Sequence, residues 1–133
     1  MREYKEGDIL VNKDLTNNSS PIKPFPLKSR LIEEDYPIFD GGDIPEDIME
    51  ELEEMEDSEE ITDYYDYTEC YSEHKIGGYP CYIQSGINWG EGYEFVLQIA
   101  SDEKANLNII DSGNIYLAKN RLTGDWKLYC DFY

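Results

Sequence analysis

From Glu33 to Glu73 the chain carries 19 of its 30 acidic residues and not a single Lys or Arg. The rest of the chain holds 11 acids against 11 bases, so the whole formal charge of −19 belongs to this one stretch. Carboxylates without partners are too costly to bury, so the stretch has to stay wet, and the fold has to be assembled from the two charge-balanced parts it separates. Its field repels DNA, RNA and anionic lipid, which argues against a nucleic-acid or membrane ligand. A cationic protein surface or a metal ion remains compatible with it.

At 133 residues the chain is long enough for one domain with a real core. An aromatic content of 14%, with twelve tyrosines, argues against global disorder. No apolar run reaches the roughly 18 residues of a membrane span, and Met1 is followed by no apolar leader. Three cysteines, Cys70, Cys81 and Cys130, are too few and too odd in number for a secreted disulfide framework. The expectation is a cytoplasmic protein with reduced thiols.

In the N-terminal part, "DILV" (8–11) reads as a short strand, 15–26 as a polar, proline-rich connection, and "LKSRLI" (27–32) as a second strand. "IFDGGDIP" supplies a turn, with Asp43 near a cap position and Pro45 where a first helical turn begins. Ile44, Ile48, Met49, Leu52 and Met55 then recur at helical spacing. The stretch "EELEEMEDSEE" (50–60) therefore belongs to an amphipathic helix whose apolar stripe docks on the core. Glu46/Glu50, Asp47/Glu51 and Glu50/Glu54 are like-charge pairs one turn apart, each costing about 0.2–0.5 kcal/mol. Glu54, Glu56 and Asp57 near the end of the helix oppose its dipole.

From residue 79 the pattern changes to strands. Tyr79, Cys81 and Ile83 alternate with Pro80, Tyr82 and Gln84; "YEFVLQIAS" (93–101) and "GNIYLAKN" (113–120) follow. The last stretch puts Trp126, Leu128, Cys130 and Phe132 on an apolar face and Lys127, Tyr129, Asp131 and Tyr133 on the other. "NWGEG" and "LTGD" are the turns. The fold class is α+β: a mainly antiparallel sheet with one acidic amphipathic helix inserted before the C-terminal strands. A single domain results, with an acidic segment at 33–73 and a sheet at 74–133.

Catalytic signals are sparse. His74 is the only histidine, which excludes His-rich metal sites and the HExxH helix. Cys70 and His74 stand four apart as a conceivable nucleophile and base, but no third group orients them. Cys81 and Cys130 read as small buried hydrophobes. Gly77-Gly78 has no phosphate-loop surroundings, and "DGGDIPED" lacks the spacing of a calcium loop. "DYYDYTECY" (63–71) reads first as a tether whose rings cover the sheet, and second as a recognition loop.

Four ordered blocks, "HKIGGYPCYIQ" (74–84), "EFVLQIASDE" (94–103), "DSGNIYLAKN" (111–120) and "WKLYCDFY" (126–133), resemble the C-terminal half of the YwqG-like family of bacterial proteins. The similarity spans roughly residues 27 to 133, with the N-terminal half of the longer members absent or reduced to 1–26. It implies an antiparallel α+β fold and transfers no catalytic residue. A more distant similarity points to the eukaryotic programmed-cell-death protein family that chaperones a ribosomal protein. Some YwqG-type relatives are encoded beside toxin systems.

These readings converge on a non-enzymatic acidic module, immunity- or chaperone-like, that neutralises a basic protein partner and needs no cofactor or metal. The partner-binding candidates are Glu50, Glu51, Glu53, Glu54, Asp57, Asp63 and Asp66. His74, Gly77, Gly78, Tyr79, Pro80 and Gln84 form a structural motif. Two alternatives stand beside this: an inhibitor mimicking nucleic-acid charge, and an enzyme or small-molecule binder using the "HKIGGYP" region. For the first, a helix of some twelve residues spans only ~18 Å and imitates few phosphates.

Overall fold

A computed structural model of the chain describes residues 21–22, 26–37, 46–63 and 70–133. One helix, α1 (Glu46–Asp57), precedes four strands: β1 (Lys75–Ile76), β2 (Tyr93–Ala100), β3 (Asn114–Asn120) and β4 (Trp126–Asp131). The strands form one antiparallel sheet in the order β1-β2-β3-β4, so each strand lies beside its neighbours in sequence. This is an α+β fold, mostly sheet. The strand expected at 8–11, residues 15–20 and 23–25 of the connection, the turn at 38–45, and 64–69 with Asp66 lie outside the described residues.

β2, β3 and β4 form where aromatic and branched residues run between turn signals. Gly124, at φ +77°, closes the β3–β4 turn, where Asn120 Oδ1 accepts the Leu122 and Thr123 N–H groups. Gly92, also at φ +77°, opens β2 against the Asn120 amide. The register between β2 and β3 slips once, between Phe95 and Leu97, a bulge that changes which face the preceding residues present.

One side of the sheet carries the core. Register places Gln98, Tyr116 and Tyr129 abreast, with Asn114 opposite Asp131. Tyr82 and Trp89, from the segment between β1 and β2, pack down on Tyr116 and Ala118, with Ile87, Tyr93, Phe95 and Tyr129 around them. Trp89 Nε1 donates to the Tyr82 hydroxyl at 2.9 Å, so the buried ring polar groups satisfy each other. Lys127 lies 4.0 Å from the centre of the Tyr93 ring and donates to the Trp89 carbonyl, with its stem along the aromatic wall.

Several expectations fail here. The polar-looking side of β4 is the inward one: Asp131 is 1% exposed whereas Leu128 is 64% exposed. The reason is the covering layer. Segment 77–92 crosses the Tyr116 face, so Tyr129 and Asp131 meet the core while Trp126, Leu128 and Phe132 look outward. Cys130 is only half-buried for the same reason. Residues 27–32 form no strand, and all but Ile32 are exposed. Residues 79–84 are not a strand either; Pro80, Cys81 and Tyr82 are buried in succession rather than alternately. Cys70 and Cys81 are joined as a disulfide with Cα atoms 5.7 Å apart, so these two thiols are not free as expected.

The helix does not dock as its apolar stripe suggested. None of its residues is buried, and Ile48 is 44% exposed. It ends on Glu59 at φ +58°, with Glu60 N–H reaching back to the Met55 carbonyl at 3.0 Å and Glu59 N–H to Glu56 at 3.0 Å. This is the left-handed helix stop that glycine usually supplies. The buried Ile61 follows it.

Candidate functional site

The Gly-Gly-Tyr-Pro motif is built around a carboxylate that lies 44 residues upstream of its tyrosine. Asp35 accepts both Lys75 Nζ contacts, at 2.9 and 3.0 Å, and the Tyr79 N–H at 2.7 Å. Gly77 and Gly78 have φ of +74° and +69°, a backbone that strongly favours glycine. A Cβ on Gly78 would fall on the Asp35 carboxylate, whereas one on Gly77 would meet nothing. The two glycines therefore serve different ends: Gly77 a backbone shape, Gly78 that shape and a close approach. Asp35 and Lys75 side chains are 14% and 8% exposed, so this pair is far better shielded than Arg30–Glu73 at 3.7 Å on the surface.

Segment 79–84 finds its backbone partners in side chains rather than in a neighbouring strand. Gln98, fully buried, accepts the Cys81 N–H at 2.8 Å through Oε1 and donates Nε2 to the Tyr71 and Glu73 carbonyls. Asp131 Oδ2 accepts the N–H groups of Ile83 and Gln84 at 2.8 and 3.2 Å. The Tyr116 hydroxyl lies 2.8 Å from Asp131 Oδ1 and 2.7 Å from the Cys81 carbonyl, with one proton to give. Asn114 Nδ2 completes the group, 3.1 Å from that hydroxyl and 3.4 Å from the same carbonyl. Gln84 Nε2 donates to the Phe132 carbonyl at 2.6 Å. Burial above all, with the Asp131 carboxylate behind it and the Asn114 amide working the other way, pushes the Tyr116 phenol well above its ordinary range. These side chains satisfy the N–H groups of Cys81, Ile83 and Gln84 and the Cys81 carbonyl, as a neighbouring strand would otherwise do.

His74 points at β2. Its Nδ1 accepts the Ala100 N–H at 3.0 Å, which places the ring proton on Nε2, 3.6 Å from Asp102 Oδ2. The Cys70/His74 pairing weighed from sequence is absent, because Cys70 Sγ is bonded to Cys81. Asp102 Oδ1 also receives the Lys104 and Ala105 N–H groups. Partial desolvation works against its charge, but those two N–H groups, with His74 and Lys104 nearby, hold its carboxyl below the usual range.

Beside Asp102 a cleft of about 440 Å³ opens between the start of the β2–β3 connection and the end of segment 79–84. Asp102, Glu103 and Asn114 line it, with Ile83 and Leu107 as apolar walls. The chain that rims it is unusual: Ile110, Asp111 and Ser112 stand consecutively at φ of +31°, +45° and +62°. In the sequence this connection is marked only by the polar run "SDEKANLN" and the turn signal "DSG", neither of which points to a cleft.

The acids singled out beforehand sit apart from all of this. Glu50, Glu51, Glu53, Glu54 and Asp57 are exposed on α1, and Asp63 is exposed just beyond it. Eight of the helix's twelve residues are acidic, and no basic residue stands in its last turn. Among the described residues no group of three or more His, Cys, Asp or Glu is placed to hold a metal ion, and no helix is long and apolar enough to cross a membrane.

A family model described as a domain of unknown function (DUF1963) matches residues 9–120. The match begins upstream of the stretch on which the resemblance rested and ends before β4. No curated protein and no solved structure matches the chain.

Proposed function

The chain belongs to the DUF1963 domain family, and from that premise we propose that it is a non-enzymatic binding module whose helix α1 docks on a basic protein partner. The observation that carries this is the helix itself. It is acidic at eight of twelve positions, and its apolar residues Ile48, Met49, Leu52 and Met55 leave none of themselves buried in the protein's own core. A helix of that composition gains little by folding alone: its like-charge pairs repel and its carboxylates oppose its dipole at the C-terminal end. An apolar groove rimmed by Lys and Arg would relieve both defects, the stripe filling the groove and the acids meeting the rim. Glu50, Glu51, Glu53 and Glu54 flank Leu52, and Asp57 and Asp63 extend the charge past the helix end.

The sequence blocks that resemble the YwqG-like family favour an immunity- or chaperone-like setting for such a module, in the cytoplasm. A mimic of nucleic-acid charge is the weaker reading, because a helix of this length spans only ~18 Å.

Capture experiments with three proteins test the proposal: wild type, the Glu50/Glu51/Glu53/Glu54→Gln variant, and Leu52→Asp. The fourfold variant keeps or gains thermal stability and binds its partner about tenfold more slowly at low salt, with the difference vanishing at high salt. Leu52→Asp, on a half-buried stripe rather than in a core, costs under about 1 kcal/mol of stability and abolishes capture. Unchanged capture by both variants would show that the acid run is only a solvated face.

A further inference from the structure

We propose that the free edge of β4 is a self-association site, at which a second copy of this chain pairs antiparallel and continues the sheet. β4 ends the strand order, and among the described residues no strand lies beyond it. Bonded and non-bonded pairs alternate along an antiparallel ladder, and the Asn120 N–H donates to the Asp125 carbonyl at 2.8 Å. In that register Leu128 opposite Leu117, and Cys130 opposite Ile115, fall in non-bonded pairs, so their N–H and C=O groups point away from β3. Edges of this kind are usually blunted by shortness, a bulge, a proline or an outward lysine. The opposite edge uses the first device, since β1 has two residues. β4 uses none of them. It is six residues long, holds no proline and keeps one unbroken register with β3. Its single lysine, Lys127, is turned back, its ammonium donating to the Trp89 carbonyl and lying 4.0 Å from the centre of the Tyr93 ring. What the edge shows instead is apolar: Leu128, Phe132 and Tyr133 are 64%, 38% and 79% exposed.

Charge selects a second copy as the occupant. A chain with a formal charge of −19 repels its own copies, so two of them meet most readily where the excess is absent. From Trp126 to Tyr133 the only charged side chains are Lys127 and the buried Asp131. The acidic stretch is anchored toward the other edge: Asp35 on Lys75 of β1, and Cys70 on Cys81, whose N–H is accepted by Gln98 of β2. A two-fold axis at Tyr129 sets Leu128 opposite Cys130 of the second copy, and that register pairs every outward N–H and C=O of these two residues. Trp126 then lies beside Phe132 of the second copy, which joins the two outward apolar rows into one. An edge of six residues falls short of the ~800 Å² per partner of a standard interface, so the dimer is weak and dissociates at on the order of 100 μM. No residue of α1 takes part, so this edge and the helix reading fail separately.

The test is sedimentation velocity of the full chain from about 10 μM to about 1 mM, with amide hydrogen exchange at both ends of that range. A monomer–dimer equilibrium is expected that tightens as salt rises, because screening relieves the repulsion between like-charged copies. Exchange at the Leu128 and Cys130 amides should slow about fivefold at the upper concentration. Leu128→Lys should weaken association about tenfold although it lowers the net charge, and should leave the thermal midpoint in place because the side chain it replaces is 64% exposed. Ile76→Lys, on the other edge and 84% exposed, should leave association unchanged. A monomer at every concentration overturns the proposal, whether its Leu128 and Cys130 amides are protected by the chain itself or stay open to a different protein. So does a dimer that Leu128→Lys leaves intact, that Ile76→Lys disrupts, or that salt dissolves.

Discussion

Asp131→Ala and Asp131→Asn should behave very differently, although both remove the same charge. Asp131 is 1% exposed and accepts from three donors: Ile83 N–H, Gln84 N–H and the Tyr116 hydroxyl. In the alanine variant Tyr116 turns its proton to the Cys81 carbonyl, 2.7 Å away, and loses little. The two backbone N–H groups have no such alternative. Each hydrogen bond to a charged acceptor contributes about 1.5–3 kcal/mol, and water recovers part of that at half-buried Ile83 and exposed Gln84. Adding the void left by the carboxyl gives a loss of about 3–5 kcal/mol. For a domain of this size that lowers the thermal midpoint by on the order of 10–15 °C.

Asparagine keeps one oxygen for the two N–H groups and presents Nδ2 to the Tyr116 hydroxyl, which then donates to Cys81. No donor is orphaned, and the desolvated charge is gone, so the cost falls to about 1 kcal/mol. Calorimetry and urea unfolding measure both, with unchanged m values as the check that the denatured state is the same. Equal, large losses for both variants would mean that Asp131 acts through its charge. A loss under about 1 kcal/mol for alanine would mean that segment 79–84 is not held by this carboxylate.

Three further outcomes follow from the same geometry. Gly78→Ala should destabilise by about 2–4 kcal/mol, because its Cβ meets Asp35 as well as adopting a left-handed backbone, while Gly77→Ala should cost only about 1 kcal/mol; equal costs in urea unfolding would refute the close approach. Tyr116 has its phenol pushed above the ordinary value of 10.0, so the folded state favours the protonated ring, and its contribution is intact below pH 10 and lost as pH rises beyond it. Tyr116→Phe should be less stable at pH 7 yet show a shallower alkaline fall, by up to about 1.4 kcal/mol per pH unit, in unfolding measured from pH 9 to 11. Cys70→Ser opens a loop of 11 residues' separation and should cost about 3 kcal/mol on the chain-entropy account, measured against wild type with and without reductant; identical stability in all samples would show that the bridge contributes nothing.

What could be read from residues alone divides along a physical line. β2, β3 and β4 were legible because their signals are local: runs such as "YEFVLQIA" between turn residues dictate a strand whatever lies beyond them. Segment 79–84 alternates just as well, yet it is no strand, because its hydrogen bonds run to Gln98, Tyr116 and Asp131, residues 17 to 48 positions away. β1, two residues long, has no periodicity to detect. β4 misled by polarity. Asp131 looked solvent-facing because a lone acid usually is, and only its partners on another segment make the inside affordable. The available hint was a polar residue interrupting an apolar strand, as Gln98 does in β2.

The acidic segment joins the two halves of this account. Its ends are pinned: Asp35 holds Lys75 and the Tyr79 N–H, while Cys70 is bonded to Cys81 and the Tyr71 and Glu73 carbonyls are held by Gln98. Every one of these anchors lands within residues 75 to 98, on β1, on β2 or on the segment between them. The helix between them has no buried residue to fix it. The fold therefore grips the acidic stretch near both ends, while the helix between those anchors presents its acids to solvent. Were the segment only a solubilising tail, one tether would suffice, and closing it at both ends would cost loop entropy for no return. Held at two points, the exposed acids of α1 stay tethered to the sheet, an arrangement that the proposed steering of a cationic partner would use.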